Sequence, residues 1–321
     1  MSAAGVLRLG LVGAGHMGRF HAEKIGARAA AEGDVRLEVV VDVESERARA
    51  LADASGARAA SELAAGLEGV DAIVVAVPTV AHAPVVEAAL DAGLDVLVEK
   101  PIAATVREAE ALLAAAQARR CVLQVGHLEW FNAAMRTVAS SIRGPRFVEA
   151  HRLGPFPARA TDVDVVRDLM IHDLDIVQRL VGEEPERVEA IGVPVITDRV
   201  DIANARLVFP GGCVANLTAS RVSPNPMRKL RFFQPDGYFS IDFLEQSVSI
   251  AERTAPDARG ERQIRMRRLE IDRGDALAEQ LRAFVEAVRT RKVAAGGGDD
   301  GLAALRTALR VVEAMPPLEL R

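Results

Sequence analysis

The sequence is poor in several reactive side chains, and each shortage closes off a class of chemistry. It holds a single tyrosine, a single tryptophan and two cysteines, and its lysines are confined to Lys24, Lys100, Lys229 and Lys292. Tyr238 is followed four residues later by Asp242, so a Tyr-x-x-x-Lys dehydrogenase dyad is absent. Cys121 and Cys213 are isolated, with no C-x-x-C and no histidine at metal-ligand spacing, so neither a disulfide framework nor a metal site is expected. No apolar run reaches the ~18 residues of a membrane helix. No basic block exists either: Lys+Arg number 40 against Asp+Glu at 45, a net charge of -5, which argues against a nucleic-acid surface that must displace counterions. The expectation is a soluble, cytoplasmic protein that handles small molecules. Histidine stops at residue 172 (His16, His21, His82, His127, His151 and His172), so few groups are available to move a proton near neutral pH.

What is present is a regular alternation. From Leu7, short apolar runs (LRLGLV, LEVVVD, DAIVVAVP, DVLVEKP, CVLQVGH) alternate with longer amphipathic segments. Continuous apolar strands between helices indicate a parallel sheet buried on both faces, an α/β Rossmann-type, doubly wound domain over residues 1–125. With 321 residues and ~100 to 200 per domain, a second domain is expected over 126–321. There, after helical stretches from His127 and over 168–181, come RFVEAHRL, ERVEAIGVPV, IANARLVF, GCVANLTASRV, KLRFFQ, YFSIDFL, SVSIAE and QIRMRRLEI. Period-two strands without intervening helices predict an α+β domain with a large, mostly antiparallel sheet and one open face. Two terminal helices, near 275–291 and 300–314, can pack back on the first domain.

The first strand runs into Gly13-Ala-Gly15-His16-Met17-Gly18. Between a strand and a helix, the first glycine makes the tight turn, the second admits a pyrophosphate and the third lets the helix pack on the strand. His16 and Met17 fall in the same turn. The second strand ends in Asp42, a carboxylate suited to ribose hydroxyls and repelling a 2'-phosphate, so NAD is expected over NADP; Arg47 and Arg49 lie nearby. Pro78 and His82 follow the third apolar run of the first domain and are expected beside the cofactor. The fourth ends in Glu99-Lys100-Pro101, where an ammonium can orient a substrate hydroxyl or exchange its proton. Asp168 and His172 are four residues apart, so on a helix they share a face and the carboxylate can fix the imidazole tautomer. A cap or core role remains open for this pair.

These three motifs, in this order, resemble the glucose-fructose oxidoreductase/inositol dehydrogenase (Gfo/Idh/MocA) family, and the resemblance covers essentially the whole chain. It implies that Lys100, Asp168 and His172 flank the nicotinamide and a sugar, and that the second sheet forms a substrate floor and commonly an oligomer interface, hence a homodimer or homotetramer. Val125-Gly-His127-Leu-Glu129-Trp130-Phe-Asn132 is most similar to the branch that oxidises the 3-hydroxyl of UDP-N-acetylglucosamine-type sugars, with Trp130 and Ala133 where that branch more often has arginine and proline. His127, Glu129, Trp130, Asn132 and His172 are thus expected substrate contacts, although Glu129 and Asn132 equally suit a helix start. Arg152 follows His151 on a strand whose end could face the site, and Arg228-Lys229-x-Arg231 could attract a diphosphate. A dehydrogenase of a free cyclitol or monosaccharide, and a non-catalytic dinucleotide sensor, remain the rival readings.

Overall fold

The apolar runs of the first half form a six-stranded, wholly parallel sheet, seen in a computed structural model that describes residues 5–156, 163–256, 259–293 and 295–317. In chain order its elements are β1 (Leu7–Val12), α1 (His16–Glu32), β2 (Val35–Val41), α2 (Ser45–Ser55), β3 (Arg58–Ala60), α3 (Leu63–Leu67), β4 (Ala72–Val75), α4 (His82–Asp91), β5 (Asp95–Val98), α5 (Val106–Arg119) and β6 (Leu123–Val125). The strand order is β3-β2-β1-β4-β5-β6. The chain therefore winds outward from β1 to β3, then crosses back to lay β4 against the other side of β1. In such sheets ligands bind beyond the carboxyl ends of the strands at this crossover. Leu9, Leu11, Val40, Val74 and Leu97 are buried within it, which is why these strands are apolar throughout rather than alternating. Local chemistry agrees with the global arrangement: α5 starts on a capping box, in which Glu108 N donates to Thr105 Oγ1 and Thr105 N donates to Glu108 Oε2.

The second half contains α6 (Ala133–Val138), β7 (Phe147–Leu153), α7 (Ile171–Val181) and seven further strands: β8 (Arg187–Val193), β9 (Ile202–Val208), β10 (Val214–Ser220), β11 (Met227–Gln234), β12 (Gly237–Asp242), β13 (Ser247–Arg253) and β14 (Ile264–Leu269). They form one eight-stranded sheet of order β14-β13-β12-β11-β7-β10-β9-β8, antiparallel except between β7 and β10. Alternate residues point to opposite faces. One set, including Val148, Ala150, Ala205, Leu217, Leu230, Phe232 and Ile241, joins Met135, Ile171 and Leu174 of the helices in a single core. The other face carries Glu149, Asn204, Arg206 and Arg231 together with the ring stack Phe147, Phe233 and Tyr238.

Two helices close the chain, α8 (Ala276–Thr290) and α9 (Gly298–Glu313). The chain divides into two compact units, residues 1–128 with 276–302 and residues 129–275 with 303–321. Thus α8, placed in the second half by sequence, belongs to the first unit. The reason is its apolar stripe: Leu281, Phe284 and Val285 are buried in the same core as Ile25 of α1 and Val35 of β2. Charge fixes its end. Arg289 Nη1 lies 2.8 Å from Asp34 Oδ2, and Arg291 Nη1 lies 2.6 Å from Asp95 Oδ2. No helix among the described residues is long and apolar enough to cross a membrane.

The hydrogen bonds from Arg28, with those from Arg289, hold the Asp34 carboxyl below the usual carboxylate range in spite of its partial burial. A depressed folded-state value stabilises the fold above the unfolded carboxylate range and ceases to do so as pH falls through the folded one. Asp34→Asn is therefore expected to cost about 2 kcal/mol at pH 7. The difference from wild type should vanish in strong acid, as urea unfolding across pH will show.

Candidate active site

At the end of β1, Gly13 adopts a left-handed φ of 102°, and a β-carbon there would meet the carbonyl of Ala76 beyond β4. A β-carbon at Gly18 would overlap the carbonyl oxygen of Gly13, so α1 crosses the turn with backbone against backbone. Gly15, the N-cap of α1, has open space where a side chain would be; no side chain caps the helix, and no acidic residue stands in its first turn. Gly13 and Gly18 thus make the tight turn and the close helix–strand approach that their spacing predicts, and the bare helix N-terminus fits a dinucleotide pyrophosphate. His16 is exposed, edge-on to Phe20 with ring centroids 4.7 Å apart; Met17 is half-buried behind it.

Asp42, just beyond β2, braces the same turn: Ala14 N donates to its Oδ2 at 2.7 Å and Glu44 N to its Oδ1 at 2.9 Å. The carboxylate is held in one orientation at the strand end. On the other side of β1, Glu99 and Lys100 follow β5. Glu99 Oε1 lies 2.7 Å from Nε2 of His21, a residue buried on α1, and Gly126 leaves no room for a side chain between itself and Glu99. His21 stands outside the site residues expected from the sequence. Its place beside Gly18, Ala22 and Ile25 on the buried face of α1 is visible in the spacing, but its partner, 78 residues away, is not.

His82, expected among the cofactor contacts, is buried at the start of α4 with Nδ1 2.7 Å from the Pro101 carbonyl and Nε2 3.0 Å from that of Val77. Burial pushes its imidazole below the ordinary histidine value, against the pull of those two carbonyls. Both ring nitrogens face carbonyl oxygens, and the neutral imidazole can donate to only one of them, either before the exposed Pro78 or after Lys100. The peptide between Lys100 and Pro101 is cis, and Lys100 itself is half-buried.

In the second unit, the helix expected over 168–181 opens differently. Asp168 lies in a π-helical turn, Val166–Met170, and His172 is the second residue of α7. Asp164 anchors this turn, accepting from Arg167 N at 2.9 Å and Arg167 Nε at 2.6 Å. Such turns widen the backbone and recur at functional sites. Next to His172, Asp173 turns inward, where Arg152 of β7 grips it with two hydrogen bonds (Nε to Oδ2 3.0 Å, Nη2 to Oδ1 2.7 Å). The third arm, Nη1, donates to Glu129 Oε1 at 2.6 Å, and the guanidinium lies 5.8 Å from the Phe243 ring centre. Burial opposes the charge on Arg152, but Asp173 and Glu129 outweigh it and hold the guanidinium well above its ordinary value.

The expected substrate contacts are distributed unevenly. His127 is buried, and Glu129 is buried in the Arg152 pair. Asn132 is buried as the N-cap of α6, accepting from Ala134 N at 3.1 Å while its Nδ2 donates to the Phe243 carbonyl at 3.2 Å. Trp130 is half-buried with Arg179 stacked over its ring at 4.7 Å, and Arg179 Nε donates to Asp175 at 2.8 Å. The i, i+4 spacing of Asp175 and Arg179 announces their pair, whereas the stacking on Trp130 depends on the fold.

A parallel sheet with a glycine crossover and an acidic residue ending β2 defines a dinucleotide-binding oxidoreductase. Residues 7–127 match the model described as "Oxidoreductase family, NAD-binding Rossmann fold", and residues 134–240 match the GFO/IDH/MocA C-terminal domain. The chain belongs to the Gfo/Idh/MocA family of oxidoreductases. It is 39% identical over 306 residues to the UDP-N-acetylglucosamine 3-dehydrogenase of Acidithiobacillus ferrooxidans, covering 95% of this chain and 96% of that one. A solved structure of that enzyme superposes with a TM-score of 0.90 at 39% identity, covering 96% of this chain and 97% of that one. The inositol 2-dehydrogenase of Rhizobium meliloti is more distant, 28% identical over 339 residues and covering 94% of each chain. The family resemblance and the two-sheet architecture expected from the sequence are both borne out.

Arg152→Met would strand the buried carboxylates of Glu129 and Asp173 without their shared cation. Breaking a buried ion pair from one side costs about 3–5 kcal/mol, and this loss should be measurable in urea unfolding.

Proposed function

We propose that this oxidoreductase uses NAD to oxidise the 3-hydroxyl of a nucleotide sugar of the UDP-N-acetylglucosamine type. The observation that carries the reading is the 39% identity to a UDP-N-acetylglucosamine 3-dehydrogenase, which runs through 95% of the chain. The preference for NAD rests on Asp42, whose carboxylate is fixed by two backbone donors at the end of β2 and opposes a 2'-phosphate. The cytoplasm, where NAD and nucleotide sugars are both at hand, is the place assigned to this activity.

A nicotinamide cofactor held by the α1 N-terminus and Asp42 would supply the acceptor for a hydride from the sugar carbon. The chain's own groups do the rest. The open N-terminus of α1 receives the pyrophosphate, and Asp42 accepts from the ribose hydroxyls. Lys100 donates to the oxygen of the sugar hydroxyl and stabilises the negative charge that develops there. His172, steered by Asp168 four residues earlier, takes the hydroxyl proton as general base. His21 and Glu99 position the segment that carries Lys100, and Arg152 with Asp173 positions the start of α7 that carries His172.

The outward face of the eight-stranded sheet supports a homo-oligomeric assembly: the Phe147, Phe233 and Tyr238 stack and the exposed Ile191 and Met266 lie on it.

A positioned acid-base group contributes about 10² to 10⁴ in rate. Lys100→Met and His172→Ala are each expected to lower kcat on UDP-N-acetylglucosamine by that order, with NAD affinity changed less than threefold. Wild-type turnover in both variants would contradict the assignment. A substrate panel followed through NADH formation separates a nucleotide sugar from myo-inositol or glucose.

A further inference from the structure

We propose that Arg228 is the residue that recognises the phosphate-bearing part of the substrate, so that the second unit selects a nucleoside diphosphate sugar over the same sugar without phosphate. This rests on the reading above and adds a residue to it.

The sequence run Arg228-Lys229-x-Arg231 looks like one basic patch, but β11 splits it. Successive residues of a strand point to opposite faces. Leu230 and Phe232 are buried in the core between the sheet and its helices, and Arg228 is in line with them on that face. Lys229 and Arg231 turn the other way, where Lys229 Nζ lies 3.3 Å from Asp242 and Arg231 Nη1 lies 3.3 Å from Glu149. His151, the register partner of Lys229 on β7, shares that far face.

On the helix side, Arg228 stands directly opposite Arg152 in the β7–β11 register. Like charges facing each other across strands are unfavourable, and Glu129 and Asp173 offset them. The two guanidiniums are used very differently, however. Arg152, 3% exposed, spends its donors on three short bonds to the two carboxylates. Arg228, 48% exposed, makes one long contact at 3.5 Å to Glu129 Oε1, an oxygen that Arg152 already holds at 2.6 Å. A guanidinium about half exposed, set at the rim of the buried Arg152 cluster two strand positions from the core, presents a planar set of donors that suits phosphate oxygens. Glu129 keeps its charged end near that rim.

The test titrates UDP into the NAD-loaded protein and measures steady-state oxidation of UDP-N-acetylglucosamine, for wild type, Arg228→Met, Arg228→Lys and, as a control on the far face, Lys229→Met. Loss of one charge-assisted contact predicts about ten- to hundredfold weaker UDP binding in Arg228→Met. KM should rise by the same factor with kcat within threefold, the pattern of binding energy shared by ground and transition states. Arg228→Lys should recover part of the affinity, and Lys229→Met should match wild type. Wild-type UDP affinity in Arg228→Met overturns the inference even if the UDP-sugar is oxidised, leaving the proposed function intact. A fall in kcat with unchanged KM also overturns it. A wild-type protein that oxidises free sugars and binds no UDP overturns both the inference and the substrate assignment.

Discussion

Arg152 is nearly sealed from water, and its three donors are divided between carboxylates that reach it from separate stretches of chain: Glu129 from the turn before α6 and Asp173 from the first turn of α7. A charge in that position is tolerated only when paired and hydrogen-bonded, because desolvation of an isolated ion would cost several kcal/mol. The geometry is correspondingly fixed. Two parallel bonds set the angle of Asp173, and the backbone of Asp173 sets that of its neighbour His172. The same fork holds Glu129, and so the entry to the segment in which Asn132 caps α6 and Trp130 receives Arg179. Of the residues expected to touch substrate, Glu129 is engaged by Arg152, Trp130 by Arg179 and Asn132 by the backbone of Ala134 and Phe243.

The dinucleotide half relies on close approach of backbone. Gly13 and Gly18 remove side chains where α1 crosses the turn, and Asp42 ties that turn to the end of β2. His21 and Glu99 extend the tie across the crossover point of the sheet, from the first turns of α1 to the residue before Lys100. The buried ring of His82 lies between the carbonyls of Val77 and Pro101 and can donate to one of them. Glu99, next to Lys100, is thus fixed by a residue of α1.

Much of this was legible in the sequence because it depends on local rules. Continuous apolar runs read as buried parallel strands, the change to a period of two marks the second sheet, and glycines between a strand and a helix keep their meaning wherever they occur. The capping box of α5 and the i, i+4 pair of Asp175 and Arg179 are also local. The rest depends on partners far apart in the chain. Nothing near His21 announces Glu99, and nothing near Arg152 announces Asp173, 21 residues on, or Glu129 before it. The π-helical turn at Val166–Met170 escaped for a different reason: its residues satisfy a helical pattern, and only the backbone bonding distinguishes the two. The placement of α8 in the first unit follows from its apolar stripe and from the ion pairs of Arg289 and Arg291.

In the proposed reaction a hydride leaves carbon 3 of a nucleotide sugar for NAD, and a single turnover with UDP-N-acetylglucosamine carrying deuterium at that carbon follows it. A slowed hydride step and deuterium recovered in the reduced cofactor are expected. Reduced cofactor without deuterium, or no reduction of NAD while another sugar or cyclitol is oxidised, would contradict this reaction.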